Sequence, residues 1–256
     1  MYVKGADRET KVKSILVTLP RPENDKSPYF ALAQKYNLKL DFRAFIHVEG
    51  VPARDLRKEK LNLADFTAVI FSSRNAVDHY FRVCEEMRFE VPAEMKYFCL
   101  SETIALYLQK YIQYRKRKIF FGKGTVKDLE EVIKKHSKEK FLYPSSDVSN
   151  EESLSWMQEN GYDYRQVALF KTVVSDLSDL KDVYYDIIVF FSPSSVQSLY
   201  ENFPDFEQNN TRIAAFGAQT QQALIERNLI LDIQAPTPES PSMTMAVEQY
   251  IKKVNK

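Results

Sequence analysis

The chain has 256 residues, with 36 lysines and arginines against 35 aspartates and glutamates, and a formal net charge of +1. This length predicts one large domain or two small ones. Near-neutral charge is not typical of a dedicated nucleic-acid-binding protein, so we expect no nucleic-acid partner. The six glycines form no glycine-rich phosphate loop, which argues against ordinary nucleotide binding.

Residues able to bind metal or form disulfides are few and scattered. The cysteines are Cys84 and Cys99, and the histidines are His47, His79 and His136. A zinc site needs three or four converging ligands, and no local spacing here supplies them. Two cysteines also make a disulfide framework unexpected. We therefore expect a function that uses no metal, nucleotide, cofactor or thiol chemistry.

The first residues of the sequence do not have the pattern of a targeting signal. Residues 1–13 are polar and charged, without the apolar stretch of a signal peptide, and we expect them to be disordered. The apolar run Ile187–Phe191 is far shorter than the ~20 residues that span a bilayer. These features predict a soluble cytoplasmic protein without membrane contacts.

Short β-rich segments alternate with helix-length amphipathic ones. The predicted strands are Ser14–Thr18, Ala68–Phe71, Tyr97–Leu100, Ile119–Phe121, Phe141–Tyr143, Ile187–Phe191 and Arg212–Phe216. The predicted helices are Ser27–Tyr36, Asn75–Met87, Ser101–Tyr111, Val126–His136, Glu151–Asn160, Ser194–Asn202 and Ala218–Arg227. This alternation predicts βαβ units, and hence an α/β fold with parallel sheets covered by helices on both faces.

Two segments break this rhythm. Lys39–Glu49 and Asp163–Ser175 are longer, more polar and more β-branched than the core strands, so each is interpreted as a strand running between two domains. The predicted organisation is a discontinuous first domain (14–38 with 176–256), a second domain (52–162) and a two-stranded linker (39–51 and 163–175).

An internal repeat supports two similar domains. The segment Val69–Val77 resembles Ile188–Val196, and Tyr97–Thr103 resembles Ala214–Thr220. In each pair an apolar strand runs into a short polar turn and then into a helix. Two copies with so long a period do not suit a solenoid.

The turns after the strands are candidate anion sites. Helix N-termini carry unpaired N–H groups and partial positive charge, and in open α/β sheets they lie at the carboxyl ends of strands, where ligands bind. Such turns occur at Ser72-Ser73, Ser101–Thr103, Pro144–Ser146, Ser192–Ser195 and Gly217–Thr220. Together they suit a ligand with several carboxylates or phosphates. The alternative, that each Ser or Thr only caps its helix, stays open.

The ordered set of motifs resembles the uroporphyrinogen-III synthase family. The resemblance rests on Phe71–Val77, Phe190–Val196, Ala214–Thr220, its weaker counterpart Leu100–Thr103, and Ser240–Met243. Asp25–Tyr29 is similar to the Pro-Tyr opening of the first helix in some members. It covers the chain from Ser14 onward. No single motif is diagnostic, but their order and spacing together are specific.

This resemblance implies two flavodoxin-like domains with an active site in the cleft between them. The implied substrate is hydroxymethylbilane, a linear tetrapyrrole with eight carboxylates, handed over from hydroxymethylbilane synthase. The implied reaction expels the hydroxyl group, inverts ring D through a spirocyclic intermediate and closes uroporphyrinogen III. It is a hydro-lyase reaction of heme biosynthesis that needs no cofactor, and we expect a monomer.

Motif by motif, candidate residues follow from the turns and the resemblance. Those expected to bind substrate are Ser72, Ser73, Asn75, Ser101, Thr103, Ser146, Ser192, Ser194, Arg212, Gly217 and Thr220. Arg212 is included as a partner for a substrate carboxylate, and the others as helix-start groups.

Phe170 departs from the family pattern. The family usually has a tyrosine at this place, followed two residues later by threonine, and its hydroxyl has been proposed to assist departure of the substrate hydroxyl. Here the stretch is Ala168–Thr172, with Phe170 at that position. The departure favours an alternative function, a two-domain module that binds a tetrapyrrole or other polyanion without catalysis. A glycosyltransferase-like enzyme is a third possibility, against which the missing glycine-rich loop argues.

Overall fold

The computed structural model describes residues 10–24, 26–147 and 154–255. Its strands are β1 (Ser14–Val17), β2 (Lys39–Phe42), β3 (Ile46–Gly50), β4 (Ala68–Phe71), β5 (Lys96–Cys99), β6 (Ile119–Phe121), β7 (Phe141–Ser146), β8 (Tyr164–Val174), β9 (Ile187–Phe190), β10 (Arg212–Phe216) and β11 (Leu231–Ala235). Its helices are α1 (Pro28–Tyr36), α2 (Ala53–Lys58), α3 (Arg74–Met87), α4 (Glu102–Tyr107), α5 (Glu130–Lys135), α6 (Ser155–Glu159), α7 (Pro193–Asn202), α8 (Ala218–Glu226) and α9 (Met243–Val254). Short 3-10 turns lie at Leu63–Asp65, Leu108–Lys110, Lys127–Leu129 and Ser178–Leu180.

The chain forms two compact units. Unit 1 combines Met1–His47 with Val173–Lys256, and unit 2 is the continuous segment Val48–Thr172. Each unit has its own apolar core on both faces of its sheet. The predicted α/β class with parallel sheets between helices is confirmed.

Unit 1 contains a five-stranded parallel sheet in the order β11-β10-β9-β1-β2. Counted along the chain this is the 2-1-3-4-5 order of flavodoxin-like folds. Its central strands β9 and β10 are almost entirely buried apolar segments, as expected where helices cover both faces. The last strand, β11, alternates buried and more accessible residues at the sheet edge and was not predicted from the sequence.

Unit 2 contains the sheet β3-β8-β7-β4-β5-β6, in which β4 to β8 are paired in parallel. Counted from β4, those five strands have the order 3-2-1-4-5 when read from one edge, with the same single reversal of direction that defines doubly wound sheets. Its longest helix, α3, buries Ala76, Val77, Tyr80, Val83 and Cys84. Their spacing puts one apolar stripe against the sheet.

The first predicted linker strand is interrupted. The segment expected as one strand from Lys39 to Glu49 is two strands, β2 and β3. β2 pairs with β1 inside the sheet of unit 1, whereas β3 lies beside β8 in the other sheet. The break has a packing cause, because Phe45 is 1% exposed in the core of unit 1 and its ring packs edge-on against Phe190.

The beginning of the described chain is held in place. Val12 is 1% exposed, and its N–H donates to the Asn255 side chain at 2.7 Å. Lys13 N–H donates to Asp186 at 2.8 Å. Residues 10–13 therefore pack on unit 1, contrary to the expected disorder through residue 13, while residues 1–9 lie outside the described part.

Parts of two other predictions also lie outside the described residues. These are positions 151–153 of the predicted Glu151–Asn160 helix and Asp25 of the Asp25–Tyr29 motif. Within the ranges that the structure describes, no helix is both long and apolar enough to cross a bilayer.

Candidate functional site

In unit 2, Ser72 and Ser73 lie between the carboxyl end of the central strand β4 and the start of α3. Ser73 is the N-cap of α3, and its side chain accepts a hydrogen bond from Ala76 N–H at 3.1 Å. Asn75 lies exposed in the first turn. The turn thus presents backbone N–H groups and the side chains of Ser72 and Asn75 beyond the end of β4.

The next turn in the same sheet follows β5. Ser101 precedes α4, and its hydroxyl lies 2.8 Å from that of Thr103 rather than on a backbone N–H. Because β5 pairs in parallel with β4, this turn lies at the same edge as Ser72 and Ser73. Thr103 is exposed there.

Strands β7 and β8 bring Ser146 and Phe170 to that edge. Ser146 is the last residue of β7 and is in register with Phe170 after a bulge in the pairing. Since β7 also pairs in parallel with β4, Ser146 lies near the turn of Ser72 and Ser73. The structure therefore brings the predicted residues of unit 2 to one edge of one sheet.

Phe170 is a core residue in this structure. Its side chain is 7% exposed, and its ring stacks on His79 with centroids 5.0 Å apart and planes 19° from parallel. Arg82 Nε donates to His79 Nδ1 at 3.1 Å, which leaves the proton of the neutral imidazole on Nε2. Burial and the neighbouring Arg82 lower the pKa of His79, so the ring is neutral at pH 7.

Arg82 anchors this cluster to the backbone. Its guanidinium donates to the carbonyl oxygens of Val51 and Leu169 at 2.9 and 3.0 Å and pairs with Glu86 at 2.5 Å. Gly50 allows this approach, because a Cβ there would lie 2.5 Å from the Arg82 Cζ.

In unit 1, Ser192 is the counterpart of Ser73. It is the N-cap of α7 and accepts from Ser195 N–H at 3.2 Å. Ser194 lies half-buried in the first turn, and Ser195 is buried with its hydroxyl donating to Ser192 O at 2.7 Å. The internal repeat thus corresponds to the same strand, turn and helix in both units.

Gly217 and Thr220 form the neighbouring turn of unit 1. Gly217 has φ +84°, a conformation that favours glycine. A Cβ there would meet no atom within 4 Å, so backbone conformation, not space, requires the glycine. Thr220 is 3% exposed in the first turn of α8, so little of its side chain is accessible to a ligand.

The prediction for Arg212 is corrected by the structure. Arg212 is fully buried at the start of β10, the opposite end of that strand from Gly217. Its guanidinium donates to Thr10 and to Asn210 O and lies 3.7 Å from Asp186. It ties the start of the described chain to the sheet and does not reach the edge where Ser192 lies.

Each sheet has one point where its strand order reverses, and ligands bind there in open α/β sheets. In unit 1 this point lies between β1 and β9, whose ends lead to Thr18 and Ser192. In unit 2 it lies between β4 and β7, whose ends lead to Ser72 and Ser146. Thr18 is buried, and its hydroxyl donates to Val189 O at 2.9 Å.

Most of the longer helices at these edges begin without a compensating acid. The first turns of α1, α3, α7, α8 and α9 contain no Asp or Glu, although acids are favoured there by the helix dipole. The partial positive charge of these helix starts is therefore not offset by an acidic side chain in the first turn.

Two arginines near these edges were missed by the sequence analysis. Arg21 lies in the loop after β1, with its guanidinium 5.3 Å from the centre of the Phe30 ring. Arg74 is the first residue of α3, 5.2 Å from the centre of the Tyr107 ring. Neither pairs with a carboxylate within the described part of the chain. For Arg74 the available signal was an arginine at a helix start, where the dipole disfavours a cation, whereas Arg21 lies in a loop and had no such signal.

Fold and turns together define a two-unit, doubly wound α/β protein with polar helix-start turns at one sheet edge in each unit. No group of His, Cys, Asp and Glu side chains in the described ranges could hold a metal ion. The chain belongs to the uroporphyrinogen-III synthase family, enzymes of heme biosynthesis, because the family model "Uroporphyrinogen-III synthase HemD" matches residues 29–245.

Solved structures agree with this fold. The uroporphyrinogen-III synthetase of Helicobacter pylori is 18% identical with a TM-score of 0.60, covering 94% of this chain and 99% of that one. A mutant uroporphyrinogen III synthase of the extremely thermophilic bacterium Thermus thermophilus is 16% identical with a TM-score of 0.55, with the same coverage. A comparison with curated proteins gave no match.

Proposed function

We propose that this chain converts hydroxymethylbilane into uroporphyrinogen III, as a cofactor-independent hydro-lyase. Family membership supports the reaction, and the observation that carries the residue assignment is the set of uncompensated helix starts at the two sheet edges. A substrate with eight carboxylates needs many weak anion contacts, and backbone N–H groups with dipole charge supply them. Arg21 and Arg74 add full positive charges beside these groups.

The reaction needs positioning more than a nucleophile. The substrate hydroxyl leaves as water with one proton, producing an azafulvene. The substituted α-carbon of ring D attacks the azafulvene and forms the spirocyclic intermediate. The bond that had joined this α-carbon to the rest of the bilane then breaks. Ring D next bonds to the freed bridging carbon through its other α-carbon, which completes the macrocycle. Without guidance the bilane closes to the type I isomer, so a folded, fixed substrate decides the product. The oriented dipoles of the helix starts can also stabilise the charge that develops as the substrate hydroxyl leaves.

In this proposal, the helix-start residues bind carboxylates and Phe170 has a supporting role. Ser72, Ser73, Asn75, Ser101, Thr103 and Ser146 belong to the edge of unit 2, and Ser192, Ser194 and Gly217 to that of unit 1. Thr220 acts through the shape of its turn because its side chain is buried. Phe170 has no proton to give, and its ring supports His79.

The remaining expectations are part of the proposal. We propose a monomer that takes the bilane from hydroxymethylbilane synthase in the cytoplasm. The reason is chemical: the free substrate cyclises spontaneously to the wrong isomer, so a short transfer favours the correct product.

The deciding experiment supplies the purified chain with hydroxymethylbilane, oxidises the products and resolves the isomers. We expect uroporphyrin III in excess over the enzyme-free control. Type I product alone, formed at the spontaneous rate, would refute the proposal.

A second function is favoured by one observation, the buried phenyl ring where a tyrosine hydroxyl is usual. It is a non-catalytic module that binds a tetrapyrrole. Tight binding of uroporphyrinogen together with the spontaneous type I outcome would establish it in place of the synthase.

A further inference from the structure

Unit 1 contains a cavity away from the helix-start edge. Its volume is about 640 Å³, within the usual range for small-molecule sites. Tyr185 and Thr211, which line it, lie just before β9 and β10, and Asn202 ends α7. The cavity thus lies toward the amino ends of these strands, opposite Ser192 and Gly217.

The floor of this cavity is apolar. Leu16 and Ile188 from the sheet, Leu199 from α7 and Phe45 form it, and all four belong to one buried core cluster. Leu180 and Phe203 extend it toward the surface. Such a floor favours the apolar body of a ligand.

The rim adds an exposed ring. Tyr184 lines the cavity and is 55% exposed, beside Val183 at 40%. The neighbouring Tyr185 already has partners for both its hydroxyl and its ring. The hydroxyl donates to Asp41 at 2.8 Å, and Lys39 lies 5.3 Å from the ring centre. An exposed tyrosine ring at a rim is suited to receive a cation on its face.

The charges of the rim are unbalanced. The rim carries three carboxylates and one cation, namely Asp182, Asp205, Glu207 and Lys181. None of these four side chains has an ion pair in the described part of the chain. Three carboxylates favour a cation and repel the polycarboxylate substrate of the proposed reaction. The cavity is therefore not a further part of the substrate site.

We propose that this cavity, lined by the segments 178–185 and 202–211, binds a small organic cation with an apolar ring-bearing body. The ring system enters over Leu16 and Ile188, and the protonated amine remains at the rim with Asp182, Asp205, Glu207 and Tyr184. This site is independent of the proposed function, since none of its residues lies at the helix-start edges.

Three isosteric probes test the ligand class. Tryptamine carries an amine, 3-propylindole no charge and indole-3-propionate a carboxylate on the same ring. Each is titrated into the ¹⁵N-labelled full chain, and backbone amide shifts are followed by NMR. We expect tryptamine to shift residues 178–185 and 202–211, with affinity about ten-fold above indole-3-propionate from a few exposed charge contacts. Shifts located elsewhere, or equal affinities for the two charged probes, would overturn the proposal.

A charge variant tests the rim. In Asp182→Asn/Asp205→Asn/Glu207→Gln we expect tryptamine affinity to fall about five-fold and 3-propylindole affinity to stay unchanged. The matched control, Glu85→Gln/Glu90→Gln/Glu131→Gln, removes three carboxylates from unit 2 and should leave both affinities intact. Equal losses in the two variants would attribute binding to net charge and would refute the site. Uroporphyrinogen III formation should be normal in both variants, so failure of the site and failure of the synthase proposal are separable.

Discussion

At the residue scale, Arg21 and Arg74 are two arginines near the sheet edges that the sequence-based predictions did not include. Both guanidinium groups lie over aromatic rings and neither has a carboxylate partner in the described ranges. An arginine held by a ring keeps its donors available and loses less side-chain freedom when it binds a carboxylate. Substrate binding would therefore depend on them more than on exposed arginines elsewhere.

For Arg74→Ala we expect KM for hydroxymethylbilane to rise about ten-fold, the loss of one charge-assisted hydrogen bond. The kcat should change little, because the group binds a carboxylate remote from the reacting carbons. Steady-state kinetics at low ionic strength measures both constants. Arg117→Ala, an exposed arginine before β6 at the other end of the sheet, is the control, and an equal KM rise there would contradict a specific role.

Phe170→Tyr tests the missing hydroxyl. If this position assists departure of the substrate hydroxyl, the variant should raise turnover, and an unchanged rate would count against that role. Stability is measured in parallel, since an unpaired buried hydroxyl costs about 1–3 kcal/mol. Phe120→Tyr is a matched control, because Phe120 also lies against a histidine, with its ring 5.0 Å from that of His136.

The polar turns were predictable from sequence, whereas of the two arginines only Arg74, at a helix start, carried a signal. Ser73 and Ser192 follow apolar strands and precede amphipathic helices, so local pattern identifies them as caps. Arg212 was assigned to the wrong edge of the sheet. It is the first residue of a predicted strand, and a residue at the amino end of a parallel strand cannot reach the carboxyl edge. Arg21 and Arg74 depend on ring contacts that chain order does not reveal.

At the scale of elements, the serine has one role in the matched turns after β4 and β9 and another in the turn after β5. Ser73 and Ser192 accept from backbone N–H groups, whereas Ser101 bonds to Thr103. The first two therefore contribute directly to helix stability, in addition to any contact with a ligand.

For Ser73→Ala we expect the free energy of unfolding of unit 2 to fall by about 1 kcal/mol, the usual loss of an N-cap. Trp156 is the single tryptophan and lies in unit 2, so its fluorescence during urea unfolding reports this unit. Ser101→Ala removes a hydroxyl without a backbone bond and should cost less. Equal losses in the two variants would show that the Ser73 cap is not what stabilises α3.

The type of each helix or strand was more predictable than its first and last residues. Continuous apolar runs such as Ile187–Phe190 identify buried parallel strands, and the structure has a strand in each predicted strand region. The break between β2 and β3 was not predictable, since it depends on Phe45 entering a core made by distant segments. β11 was missed because its alternation at a sheet edge gives a weaker signal than a buried strand.

At the scale of the whole molecule, the stability of unit 2 should depend on pH through two histidines. Burial and then the neighbouring cation, Arg82 for His79 and Lys96 for His136, lower the pKa of each ring. A lowered histidine pKa stabilises the fold above the unfolded value of about 6.5. That contribution is lost as the pH falls from there through the folded pKa, where both rings take up protons.

We therefore expect the urea midpoint reported by Trp156 to decrease from about pH 7.5 to about pH 5.5, the interval that brackets the unfolded histidine pKa. In His79→Gln/His136→Gln the decrease should largely disappear. A slope that is unchanged in the double variant would assign the pH dependence to other groups.

The continuous segment of unit 2 should fold without the rest of the chain. A fragment from Ile46 to Val174 keeps β3 and β8 whole and contains both core clusters of that unit. We expect cooperative urea unfolding with native-like Trp156 fluorescence. A fragment lacking a cooperative transition would contradict the proposed independence, and the domain limits 52–162 and 14–38 with 176–256 would need revision.

The pairing of β1 with β9 has a consequence for synthesis on the ribosome. Ser14 and its partner Asp186 are 172 positions apart in the chain, and β9 lies between β1 and the rest of its sheet on that side. All of unit 2 emerges before β9 does, so the first strand and helix must wait, exposed, while the inserted unit completes its core. Vectorial folding would thus proceed from the middle of the chain outward. Early truncation products would contain β1 and β2 but would leave the edge of β1 that faces β9 without a partner, and an open edge of this kind promotes aggregation.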